Sequence, residues 1–142
     1  MSINKDWALL LKLIGSSGTV TGRTRLQKMV FLAGKEKEVP FSYNFSLYYY
    51  GPYSSDLQDA VDTLVANELV KEETYPTYGG EEGYSYTLTP LGESVLSQIE
   101  GEIEKGDEKS IAEVVSKYAT TPLRDLLSYV YTNYVPSTAA SQ

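Results

Sequence analysis

Cysteine and histidine are both absent from the 142-residue chain. Their absence excludes thiol nucleophiles, disulfides, Ser-His-Asp triads, and zinc or iron centres built on Cys or His. Positive charge is in short supply, with 12 basic against 19 acidic residues and a net charge of −7. Such a chain is a poor default binder of nucleic acid or anionic membrane. No apolar run approaches the roughly 18–20 residues that span a bilayer. Met1–Asp6 lacks the basic-then-apolar layout of a secretory leader, so a cytoplasmic protein with no membrane role is expected. Phenylalanine and tryptophan are scarce, at three and one, yet there are thirteen tyrosines.

The apolar spacing is mostly helical. Trp7, Leu10, Leu11 and Ile14 form a stripe behind the candidate cap Asn4, and Gly15-Ser-Ser-Gly18 ends it. Thr24-x-x-Gln27 has capping-box spacing and opens a second helix with Leu26, Met29, Val30 and Ala33 on one face. The aromatic run 45–50 reads as a strand broken by Gly51-Pro52. Ser55-x-x-Gln58 opens a third helix over about 55–67, with Leu57, Ala60, Val61, Leu64 and Val65 as its stripe. Strands over 69–74 and 84–88 flank a loop with Pro76, Gly79, Gly80 and Gly83, predicting a long-tipped hairpin. Thr89-Pro90 starts a further helix. A charged connector over 102–109 leads to a short helix over 110–118. Thr121-Pro122 starts the last helix, with Leu123, Leu126, Leu127, Val130, Tyr131 and Tyr134 inward.

This order predicts an α+β fold, a winged helix-turn-helix with a helical C-terminal extension. The expected organisation is a winged-helix domain over 1–92, an extension packed on it over 93–135, and a flexible tail over 136–142. Winged helices often lay the third helix in a DNA major groove. Here that helix carries Asp56, Asp59 and Asp62 with no Lys or Arg, and the wing tip carries Glu81 and Glu82. Carboxylates are repelled by phosphates, so DNA readout through these elements is disfavoured. Extensions of this kind also serve dimerisation, and a homodimer is favoured over a monomer.

Charge is segregated. Residues 1–38 carry seven basic and three acidic side chains, net +4, while 39–142 carry five against sixteen, net −11. Arg23, Arg25 and Lys28 cluster at the start of the second helix, where the dipole adds positive potential. They are a candidate contact for an anion or an acidic partner; the alternative is pairing of Arg23 and Lys28 with acidic groups of this chain. Tyr48, Tyr50 and Tyr53 are candidate aromatic anchors for a protein partner, against packing in the core or stacking on bases. The adjacent pairs Glu72-Glu73, Glu81-Glu82 and Asp107-Glu108 are poorly placed for acid–base work. Gly79-Gly80 is followed by no Lys-Ser/Thr, so no phosphate loop is present. No enzyme activity, cofactor or metal is expected.

Four segments carry a family resemblance. Gly22-Arg-Thr-Arg-Leu-Gln-Lys-Met-Val-Phe-Leu32 resembles the opening of the YwgA-type proteins, a poorly characterised prokaryotic family. Tyr48–Leu57 is similar to their Y-x-Y-G-P-Y-S-x-x-L segment, and Leu123–Tyr134 to their C-terminal segment. Tyr86–Gly92 resembles the strand-to-helix exit of winged-helix proteins. The match spans most of residues 22–134 in order. A looser similarity links the LQK…YGP pattern to the Panacea (SocA-like) antitoxin domains. The resemblance implies a winged-helix-like scaffold, a regulatory, adaptor or antitoxin-like role through protein binding, and no catalytic residues. The alternative is a transcription regulator meeting DNA through its basic second helix.

Overall fold

The computed structural model describes residues 4–48 and 51–135 of the chain. Among these residues the fold is mixed α+β, with six α-helices and five strands. α1 (Lys5–Ser17) leads through β1 (Thr19–Thr21) to α2 (Arg23–Lys37). β2 (Ser46–Tyr48) and β3 (Gly51–Tyr53) precede α3 (Ser55–Ala66). β4 (Val70–Pro76) and β5 (Glu82–Leu88) lead to α4 (Pro90–Ile99), a 3-10 turn over Glu100–Glu102, α5 (Lys105–Tyr118) and α6 (Leu123–Tyr134). β1, β5 and β4 form an antiparallel sheet in that order, and β2 and β3 form a separate antiparallel pair.

Several boundaries follow from local chemistry. Asn4 caps α1 by accepting from the Trp7 N–H. Thr89 caps α4 by accepting from Gly92 N, with Pro90 at the first helical position. α4 sits hard against the connection between α3 and β4: a Cβ at Gly92 would stand 2.0 Å from the Leu69 carbonyl oxygen, so only glycine fits there. The 92/93 division of the sequence falls inside this continuous helix.

Other expectations change. α2 is capped by Gly22 at φ 105°, a conformation that favours glycine, so Thr24 makes no capping box with Gln27. Ser54, one residue before the expected Ser55, caps α3 through the Leu57 N–H, and Gln58 bonds Asp62. Gly51-Pro52 does not end the strand; it forms β3, in register with Leu47 and Tyr48. Proline is tolerated there because the pair has only edges. The β4–β5 ladder runs out to Pro76 opposite Glu82, so the hairpin tip is short. α5 starts five residues early, at Lys105, with Asp107 and Glu108 favourably placed in its first turn.

α1 and α2 are central. Leu9, Leu10, Leu11, Leu13 and Ile14 are all buried, because α1 is wrapped by α4, α5 and β5. On α2 every residue from Arg25 to Ala33 is buried, under α5, α6 and β3. α5 sends Ile111, Val114 and Tyr118 into the same core, so the C-terminal helices complete it. α6 buries Leu126 and Val130, while Leu123 is exposed. No helix among the described residues is long and apolar enough to cross a membrane.

Candidate functional site

The basic cluster at the start of α2 is dispersed by the fold. Arg23 stays exposed, lies over the Tyr84 ring at 3.7 Å, and donates to the Tyr86 hydroxyl at 3.0 Å. Its guanidinium also meets Glu72 at 3.5 Å, and Tyr86 donates to the same carboxylate at 2.7 Å. Burial and the Glu72 bond push the Tyr86 phenol up to about 12. Arg25 is buried, donating to the carbonyls of Thr21 at 3.3 Å and Tyr118 at 2.8 Å. Lys28 is only 2% exposed and donates to the Pro52 carbonyl at 2.8 Å. Arg25 and Lys28 therefore do not form an exposed anion contact with Arg23. A helix whose middle is covered on all sides turns its cations onto backbone carbonyls. Burial brings the Lys28 amine down to about 8.

Beside Lys28, Gln27 takes both backbone groups of Ser54: its amide donates to the Ser54 carbonyl at 2.9 Å and accepts from the Ser54 N–H at 2.8 Å. Two successive residues of α2 thus clamp the strand that leads into α3. Of the tyrosine anchors, Tyr53 is exposed on β3. Tyr50 lies outside the described residues, and of Tyr48 only the backbone is described.

Sequence reasoning missed Glu36, at the end of α2. Its carboxylate accepts from the hydroxyls of Tyr118, Tyr129 and Tyr134, the last at 2.8 Å. Burial alone would raise this carboxyl. The three phenols and the charge of Lys117 outweigh that and hold it below its ordinary value. Burial and Glu36 push Tyr118 and Tyr134 the other way, upward. This node ties α5 and α6 to α2.

Next to it lies an aromatic groove of about 420 Å³ between α2, residues 41–45 and the β2–β3 hairpin. The three phenylalanines of the chain, Phe31, Phe41 and Phe45, all line it, with Tyr134 and Leu47. Phe31 packs edge-on against Phe45 at 5.3 Å and Tyr134 at 5.5 Å. The nearby Tyr43 hydroxyl is buried with no hydrogen-bond partner among the described residues. The opposite character marks α3 and the β4–β5 hairpin, where Asp56, Asp59, Asp62, Glu73, Glu81 and Glu82 are exposed. Among the described residues no group of three or more Asp or Glu side chains is placed to hold a metal ion.

No family model matches the chain. It is 30% identical over 127 residues to the uncharacterised protein YwgA of Bacillus subtilis, covering 89% of this chain and 74% of that protein. The chain belongs to the YwgA family. In this YwgA-family chain the two segments of the resemblance, Leu26-Gln27-Lys28 and Gly51–Ser54, are physically joined by the clamp. The C-terminal segment supplies Tyr129 and Tyr134 to Glu36. The motifs thus describe how this fold closes on α2.

Proposed function

We propose that this protein is a non-enzymatic adaptor or regulator on a winged-helix scaffold, acting by binding another protein. The scaffold reading draws support from the order helix, strand, helix, short strand pair, helix, hairpin, with β1 joining the hairpin strand β5. The observation that carries the function is the charge of the face built by α3 and the β4–β5 hairpin. Asp56, Asp59 and Asp62 are exposed on α3, and Glu73, Glu81 and Glu82 on the hairpin whose β4 packs against it, with Lys71, paired to Glu73, as the exposed cation of these elements. Phosphates are repelled from such a face, which disfavours nucleic acid as the partner, whereas a protein can dock away from it.

The alternative, DNA contact through a basic α2, loses ground because Arg25 and Lys28 are spent on backbone carbonyls. A mobility-shift titration with duplex DNA across a salt series separates the two. No complex is expected even at low salt; a complex that weakens steeply with salt overturns the adaptor reading. The adaptor reading further requires one dominant protein that copurifies and rebinds when both are pure. The same preparation, sized by light scattering, tests the homodimer.

A further inference from the structure

We propose that the aromatic groove beside α2 is the docking site for an acidic peptide segment of the protein partner, one with a large apolar side chain next to a carboxylate. The proposal rests on the adaptor reading and names the surface that serves it. The groove is floored by buried Val30 and Phe31 and walled by Phe41, Phe45 and Tyr134. Its size lies within the range of about 300–1,000 Å³ typical of ligand sites. Its margins are open: Lys35, Asn44 and Leu47 are exposed, Leu47 at 49%. An open trough suits a passing chain that sends one side chain down onto the rings.

Charge selects the occupant. Among the described residues that line the groove, Lys35 is the one charged side chain, and its ammonium lies 5.9 Å from the centre of the Phe31 ring. No carboxylate among the described residues comes within ion-pair distance of it. Glu36, its neighbour in sequence, has its oxygens taken up by three phenols. A cation left unpaired at the rim of an apolar trough, in a chain of net charge −7, favours a carboxylate from outside. The net charge opposes this little, since exposed charges beyond about 8 Å are screened at physiological salt.

The test is an NMR titration of the full chain with three probes: N-acetyl-Phe-Asp-amide, N-acetyl-Phe-Lys-amide and N-acetyl-Gly-Asp-amide. The Phe-Asp probe should shift the amides of Phe31, Lys35 and Phe45 with millimolar affinity and bind tightest. Lys35→Glu should weaken it about fivefold and bring the Phe-Lys probe level or ahead. Leu47→Ser, at a half-exposed position, should weaken both Phe probes without unfolding the chain. Equal binding of the two Phe probes, shifts confined to other surfaces, or no shifts at all overturns the proposal. If the probes fail while a purified partner still binds, the groove is wrong and the adaptor reading stands. If no partner binds either, both fall.

Discussion

Gln27 and Ser54 exchange two hydrogen bonds, at 2.9 and 2.8 Å, across 26 intervening residues. Both residues are buried, so the Gln27 amide stands in for the neighbouring strand that Ser54 lacks. One turn of backbone is thereby fixed where the aromatic segment enters α3.

Gln27→Leu keeps the volume and removes both bonds. The Ser54 N–H is then buried without a partner, while its carbonyl keeps the bond from the Gln58 N–H, at a cost of about 1–3 kcal/mol. Urea unfolding should show that loss, while Gln27→Glu should retain the N–H bond and lose the other. A Gln27→Leu protein as stable as the parent would show that water reaches Ser54.

Lys28 gives a second, pH-dependent test. Its amine titrates at about 8 in the folded chain against 10.5 ordinarily, because burial disfavours the charge. Between these values the unfolded chain holds a proton that the folded chain has released, so stability rises with pH through that window. Below about pH 8 the penalty is present in full. Relative to Lys28→Met, which cannot titrate, the parent should gain about 2–3 kcal/mol between neutral pH and about pH 10. A pH-independent difference between the two proteins would show that Lys28 keeps its charge when folded.

Glu36 works in the opposite sense. Its folded carboxyl lies below the ordinary value, since the hydroxyls of Tyr118, Tyr129 and Tyr134 and the Lys117 charge outweigh burial. The stabilisation is complete above the ordinary carboxyl range and is lost as pH falls through the folded value. Glu36→Gln should cost about 2 kcal/mol at neutral pH, the worth of charge-assisted bonds weakened to neutral ones. The gap to the parent should close in acid. Hydrogen exchange over α6 should rise in the variant, because the node holds that helix to α2.

Which of these features the sequence displayed depends on how local they are. The α3 stripe of Leu57, Val61 and Leu64, the Asn4 cap and the Thr89-Pro90 start are set by neighbours within four residues, and all are legible. β1 was missed because three residues declare a strand only through their partner β5. Lys28 and Arg25 read as surface cations because the carbonyls of Pro52 and Tyr118 that take them up lie 24 and 93 residues away. One signal was available: Lys28 stands one turn before Phe31 and Leu32, on an apolar face. Glu36 gave none, since its three phenols come from the far end of the chain. The groove is not legible in the sequence, which shows three phenylalanines but not that the fold gathers Phe31, Phe41 and Phe45.

Tyr43 supplies the prediction with the least usual sign. Its hydroxyl is buried without a hydrogen-bond partner among the described residues, while its ring stacks on Phe41 at 5.8 Å. The phenol is pushed upward by burial first, then by the charges of Asp6 and Asp56. An isolated buried hydroxyl has lost its water and gained nothing in return, whereas the ring keeps its packing without it. Tyr43→Phe should therefore stabilise the chain by about 1 kcal/mol, where most substitutions of a core-facing residue destabilise. Thermal and urea unfolding should both move upward, with unchanged backbone shifts at Phe41 and Phe45. A loss of stability instead would mean that the hydroxyl is satisfied in solution, by an ordered water or by one of the two aspartates.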